Sequence, residues 1–154
     1  MTKVSVYDAS KVLQYYGVSQ YNAQGQIIKG SAYLAEDVLL YYGKCNYNAQ
    51  GRLTKISLYE SDDSLKYIGK ITYNSKGRMS KLSIYNDADV LVAYMMFTYN
   101  NTGLMTKETV YVILPYIGPW EYYYVKYAYQ TGTCAPGNTD PLFIWGMLAT
   151  FFEL

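Results

Sequence analysis

A period of 26 residues constrains this chain more than any other feature. Tyr21, Tyr47, Tyr73 and Tyr99 are each followed by Asn and then, after two variable residues, by Gly25, Gly51, Gly77 and Gly103. Lys29, Lys55, Lys81 and Lys107 come next, and Tyr33, Tyr59, Tyr85 and Tyr111 close the unit. A repeat of this length marks an array of supersecondary units, each burying its apolar surface against its neighbours.

Each unit reads as two strands. Tyr-Asn-x-x-Gly is turn chemistry: Asn at the first position and Gly at the fourth fit a type I turn closed by a left-handed residue. Gly suits that last place because φ is positive there, so Ala at Gly77 would strain the turn. The flanks, 65–74 and 78–86, are rich in Ile, Leu, Thr and Tyr. Helix is the alternative reading of runs such as Val90-Leu91-Val92-Ala93, but the regular Gly punctuation and the β-branched and aromatic content oppose it. The second connection of each unit, such as Glu60-Ser61-Asp62-Asp63-Ser64, is expected as a polar loop.

Counting outward from the Asn74 turn in step, Tyr73 faces Met79, Ile71 faces Lys81, Gly69 faces Ser83 and Tyr67 faces Tyr85, all on one side. That predicts a core on the even-numbered side, centred on Ile56, Leu58, Ile68, Leu82, Ile84 and Val110. The odd-numbered side carries Tyr rows with Gly43 and Gly69 between them, and is expected to be partly solvated, with Lys stems over Tyr rings. The fold class predicted is all-β: an antiparallel meander of about nine strands over residues 1–114. It should curl into a rolled sheet or partial barrel rather than lie flat.

The pattern dissolves after Tyr111. Residues 120–130 still read as a strand, 131–139 as a loop, and Asp140-Pro141 as a helix start, with Asp capping free N–H groups and Pro in the first turn. The apolar stretch 142–154 is expected as a helix capping the sheet within the same domain (115–154), the alternative being a docking tail. At the other end, Met1-Thr2-Lys3 is in phase with Met105-Thr106-Lys107, so the chain opens inside a repeat. This reads as a half-repeat cap or, preferably, as the cut end of a longer array.

With 51% hydrophobic residues in 154, one core suffices. A net charge of +1, with 13 Lys and Arg spread along the repeats, gives no basic stripe for nucleic acid. No run of apolar residues is long enough to span a membrane. Nucleophilic catalysis needs a base beside Ser or Cys, yet the chain has no His, and Cys45 and Cys134 lack an evident activating neighbour. The carboxylates Glu36, Asp37, Asp62, Asp63, Asp87 and Asp89 sit in turns and match no calcium-loop spacing. The expectation is a non-enzymatic chain without cofactor or metal.

The binding candidates are the aromatic rows. Equivalent residues in successive repeats should lie ~10 Å apart, close to a disaccharide step. Tyr33, Tyr59 and Tyr85, with Tyr47 and Tyr73 and with Lys55 and Lys81 adding hydrogen bonds, would hold an extended glycan if exposed on a concave face. The competing reading is that these rings recur because cross-strand aromatic pairs stabilise sheets. Protein docking through a sheet edge or the apolar tail is a further alternative.

The stretch Tyr47-Asn48-Ala49-Gln50-Gly51-Arg52-Leu53-Thr54-Lys55-Ile56 resembles the Tyr-Asp-x-x-Gly-Arg-Leu core of bacterial YD-type (RHS-like) repeats. It is similar also to repeat domains of Bacteroidetes surface proteins and lipoproteins, and the likeness covers about residues 1–111. Tyr41-Tyr42 and Tyr99-Asn100-Asn101-Thr102-Gly103-Leu104-Met105-Thr106 carry a weaker likeness to choline-binding or toxin cell-wall repeats, whose units are shorter and richer in Trp. In all four turns Asn stands where the YD family has Asp, and the unit is longer than the usual YD spacing. The resemblance implies secretion or display at the bacterial surface, a curled antiparallel sheet, and carbohydrate-binding or shell-forming roles. The partners it implies are a polysaccharide or the remainder of a longer repeat chain. It brings no catalytic residues.

Overall fold

The computed structural model describes residues 1–114 and 118–126, with side chains described over 1–113. Every regular element among them is a strand: β1 (Thr2–Tyr7), β2 (Leu13–Tyr21), β3 (Ile27–Leu34), β4 (Leu39–Tyr47), β5 (Leu53–Glu60), β6 (Leu65–Tyr73), β7 (Met79–Asn86), β8 (Leu91–Tyr99), β9 (Met105–Leu114) and β10 (Gly118–Lys126). Strand order is chain order, so the fold is the all-β antiparallel meander that the punctuation predicts. β10 occupies part of the stretch expected as a strand at 120–130; the loop at 131–139 and the helix at 142–154 lie outside the described residues. Two compact units divide the chain after Ile68. In the first, antiparallel ladders join β1–β2, β2–β3, β3–β4 and β4–β5. In the second they join β7–β8, β8–β9 and β9–β10.

Each connection from β1 to β9 is the same five-residue turn. Asn48 donates its N–H to the Arg52 carbonyl at 2.9 Å, and Gly51 donates back to the Asn48 carbonyl at 2.9 Å. The Asn48 side-chain oxygen accepts from the Gln50 and Arg52 N–H groups, which is why Asn leads the motif. The acidic connection expected as a loop is built identically: Glu60 donates to Ser64 at 2.9 Å and Asp63 to Glu60 at 3.2 Å. The left-handed place is held by Gly in one set of turns (φ 74° at Gly51) and by Lys11, Asp37, Asp63 and Asp89 in the other (φ 68° at Asp63). Asp is among the few non-Gly residues that enter that conformation readily, and Asp37, Asp63 and Asp89 each accept a side-chain bond from a distant residue, Tyr16, Tyr42 and Lys70.

The register departs from the in-step count by one residue. Tyr47 pairs with Leu53, but Asn46 then pairs with Lys55, Cys45 with Ile56 and Gly43 with Leu58, leaving Thr54 as an extra residue. β8–β9 repeats this, pairing Tyr99 with Met105 and Phe97 with Glu108. The other turns bulge as well: Tyr33 pairs with Leu39 and Ala32 with Tyr41. Two residues against one reverses the parity of the buried side at every turn. On the core side, even positions are therefore buried along β5, β7 and β9 (Ile56, Leu58, Leu82, Ile84, Val110), and odd positions in β4, β6 and β8 (Cys45, Ile71, Met95, Phe97). Leu53, Met79 and Met105, which open β5, β7 and β9, are buried at odd positions. Ile68, expected in that core, alternates with the buried Gly69 in β6 and is only half-buried. The remaining five expected core residues are each no more than 1% exposed. A buried side chain of that size contributes ~1.5–3 kcal/mol.

Candidate functional site

The parity switch separates the residues that the sequence groups together. Tyr59 shares a side of β5 with Ser57 and Lys55, and it stacks on Tyr42 of β4 with centroids 5.0 Å apart and planes 12° off parallel. Tyr33 stacks on Tyr16 at 5.0 Å, and Tyr111 on Tyr94 at 4.6 Å. Tyr85 has the Lys70 ammonium 4.0 Å from its ring centre. Tyr47, by contrast, alternates with the buried Cys45 and Gly43 on the opposite side of β4, and Tyr73 with the buried Ile71 and Gly69 in β6. In the first unit Tyr33, Tyr59 and Lys55 therefore lie on one side and Tyr47 on the other; in the second, Tyr85 and Lys81 lie on one side and Tyr73 on the other. No trough floored by Gly43 and Gly69 runs between the two rows. Gly43 belongs to the core side, opposite Leu58, and Gly69 to the buried side of β6 with Ile71.

On the tyrosine side, cations cover the rings. Lys3 sits 3.5 Å from the Tyr16 centroid, Lys29 4.2 Å from Tyr42 and Lys81 4.3 Å from Tyr94. The Lys44 ammonium is 5.6 Å from the Tyr42 centroid and 5.1 Å from that of Tyr59. The ring quadrupole attracts each ammonium while the alkyl stem shields the aromatic surface. Ser57 and Ser83, which alternate with core residues in β5 and β7, are buried as well. Lys55 stands opposite Asn46 and is half-buried.

The hydroxyls are also engaged within the chain. Tyr42 donates to Asp63 at 2.6 Å, and Tyr16 donates to Asp37, each reaching the left-handed Asp of a turn. The carboxylate acceptor, then burial, pushes both phenols up to about 12. Burial also raises Tyr41. On the core side, Tyr47 donates to the Ile27 carbonyl at 2.7 Å and Tyr99 to the Met79 carbonyl at 2.8 Å. Ile27 sits where the β2–β3 register shifts, so the Tyr47 hydroxyl serves a carbonyl at the bulge.

Aligning the repeats by position exposes the rest of this network, because Tyr16, Tyr42 and Tyr94 recur in phase, as do Lys3, Lys29 and Lys81. One residue gave no such signal. Glu108 occupies the repeat position of Ile56 and Leu82 and is buried. A shallow recess in the second unit lies between the turns beginning at Asn74 and Asn100, lined in part by Arg78, Ser80 and Tyr99. Its walls are already bonded: Ser80 donates to the Thr72 carbonyl and Tyr99 to that of Met79. Among the described residues no group of three or more His, Cys, Asp or Glu could hold a metal ion. No helix among them is long and apolar enough to cross a membrane.

These features define a β-hairpin repeat protein with an internally paired aromatic–cation face. No family model and no curated protein matches the chain. Among solved structures, a protein of unknown function from Bacteroides fragilis superposes with a TM-score of 0.56 at 12% identity, over 74% of this chain and 92% of its own. That likeness shows a shared fold. The Photorhabdus luminescens Tc holotoxin pore, carrying a TccC3 mutation, matches at a TM-score of 0.26 and 13% identity over 77% of this chain. The TcdB2–TccC3 structure matches at 0.27 and 13% over the same share. This chain spans only 9% and 10% of those two toxin chains.

Proposed function

We propose that this chain is a non-enzymatic structural module of a larger RHS-like extracellular or cell-surface protein, a repeat sheet that spaces or encloses other parts. One observation carries the reading: the aromatic ladder is saturated from within. The ring faces of Tyr16, Tyr42 and Tyr94 meet a stacked tyrosine and a lysine. The hydroxyls of Tyr16, Tyr42, Tyr47 and Tyr99 go to acceptors of the chain itself. Groups so engaged stabilise the sheet.

A second reading, an extended glycan laid along Tyr33, Tyr59 and Tyr85, is favoured by their recurrence once per repeat and their partial exposure. A glycan array separates the two. Tyr59→Ala combined with Tyr85→Ala is expected to lower the melting temperature without removing any array signal. A saccharide signal abolished by the pair, with melting unchanged, would overturn the structural reading.

A further inference from the structure

Arg78 stands at the repeat position of Gln26, one residue past the turn glycine, yet the two side chains are engaged differently. Gln26 uses its amide within the chain, donating to the Gly51 carbonyl and accepting from Asn22, both at 2.8 Å. The Arg78 guanidinium instead lies over the Tyr99 ring, 5.8 Å from its centre, and against the turn at Gly103, where a Cβ would overlap it. A ring face attracts the charge of a guanidinium and leaves its in-plane N–H groups to other acceptors. Among the described residues the ion pairs are Lys66 with Glu60 and Lys70 with Asp89, so no carboxylate answers Arg78.

That guanidinium lines the recess between the turns at Asn74 and Asn100, whose volume of about 380 Å³ is at the small end for ligand clefts. Ser80 and Tyr99 in its wall are bonded within the sheet, but its cations are not neutralised. Lys76 is the second of them, and no Asp or Glu contributes to the lining. Asn74 and Asn100 commit their side-chain oxygens to N–H groups of their turns, which leaves both NH2 groups as donors. The recess thus offers donors and positive charge without an anion of its own.

We infer that this recess binds a single anionic sugar residue, a uronate or a sugar phosphate. The planar guanidinium of Arg78 matches two oxygens of a carboxylate or phosphate in a bidentate pair, and Lys76 adds a second charge on a flexible stem. The neutral lining, with the amides of Asn74, Asn100 and Asn101 and the hydroxyl of Ser75, pairs with sugar hydroxyls. A nucleobase would find no ring face to stack on, because Arg78 covers Tyr99 and Phe97 is buried. The site lies apart from the stacked tyrosines, so it goes beyond the structural reading, and either can fail without the other.

The test titrates the intact chain at low ionic strength with glucuronate, glucose 6-phosphate, glucose and inorganic phosphate. Calorimetry reads binding, and NMR shifts read the site. Saturable one-to-one binding of glucuronate or glucose 6-phosphate is expected, about tenfold or more tighter than that of glucose or inorganic phosphate. The tighter of the two identifies the anion, and the shifts should fall within residues 74–80 and 97–103. Arg78→Gln places there the residue that the fold accepts at Gln26, so the variant should melt like the parent while binding weakens about tenfold or more. Gly103→Ala, which displaces the guanidinium, should weaken binding too, whereas Tyr59→Ala with Tyr85→Ala should leave it intact. Absence of saturable binding by both sugar anions would overturn the inference, as would equal binding of glucose or of inorganic phosphate. Unchanged affinity in Arg78→Gln and Gly103→Ala, or shifts centred on other residues, would overturn it as well.

Discussion

The most informative perturbation removes a single oxygen. Tyr99→Phe deletes the hydroxyl that donates to the Met79 carbonyl at 2.8 Å, and Tyr47→Phe deletes its repeat counterpart at Ile27, at 2.7 Å. A typical internal hydrogen bond is worth a net ~1 kcal/mol, rising to ~3 kcal/mol when the abandoned partner stays dry. Met79 and Ile27 are 5% and 6% exposed, which places both substitutions in the upper part of that range, about 1.5–3 kcal/mol. With a urea dependence of ~2 kcal/mol per molar, each midpoint falls by about 0.7–1.5 M at unchanged slope. Tyr59→Phe is the control, because it keeps the ring that stacks on Tyr42 and faces the Lys44 ammonium. Its midpoint should move by no more than the ~0.5 kcal/mol typical of a surface substitution. If Tyr99→Phe and Tyr47→Phe unfold with the midpoint of Tyr59→Phe, the hydroxyls do not serve the bulge carbonyls, and the structural reading of that row fails.

Four further outcomes follow from the same geometry. Tyr16 and Tyr42, with folded values near 12 against ~10 when unfolded, contribute stability that is fully present below pH ~10 and is lost as pH rises from there through about 12. Tyrosinate absorbance should show late-titrating phenols that disappear in a Tyr16→Phe, Tyr42→Phe variant, and the denaturation midpoint should fall over that window. Gly25→Ala carries the backbone term alone, since a methyl there meets nothing within 4 Å, and should cost about 1–2 kcal/mol. Gly103→Ala should cost at most ~0.5–1 kcal/mol more in the same urea assay, because the Arg78 guanidinium that its methyl meets is the end of a flexible side chain and can swing off the Tyr99 ring. Leu82→Ala, at a position with no exposed surface, should lose about 2–5 kcal/mol by calorimetry, against a total of roughly 5–15 kcal/mol for a domain.

The local chemistry of the turns is legible in the residues themselves. Asn48 to Gly51 announces a tight reversal because Asn satisfies two N–H groups and Gly accepts positive φ, both properties of single side chains. Strand content and meander order follow from repeating that reversal. The acidic connections read as polar turns, but their identity with the Asn–Gly turns was not legible, because Asp63 in a left-handed conformation costs energy that its neighbours must offset. That offset includes a bond from Tyr42, 21 residues away in sequence.

The sequence by itself thus determined an antiparallel hairpin array and most of its core, since Ile56, Leu58, Leu82, Ile84 and Val110 alternate within strands whose phase the turns set. Only the tertiary structure decided which tyrosines share a side. An extra residue such as Thr54 reverses every later position, and an unpaired residue in a bulge has no composition of its own to betray it. The same cause moved Ile68 out of the core, and placed Tyr47 and Tyr59, alike in sequence, on opposite sides of one ladder.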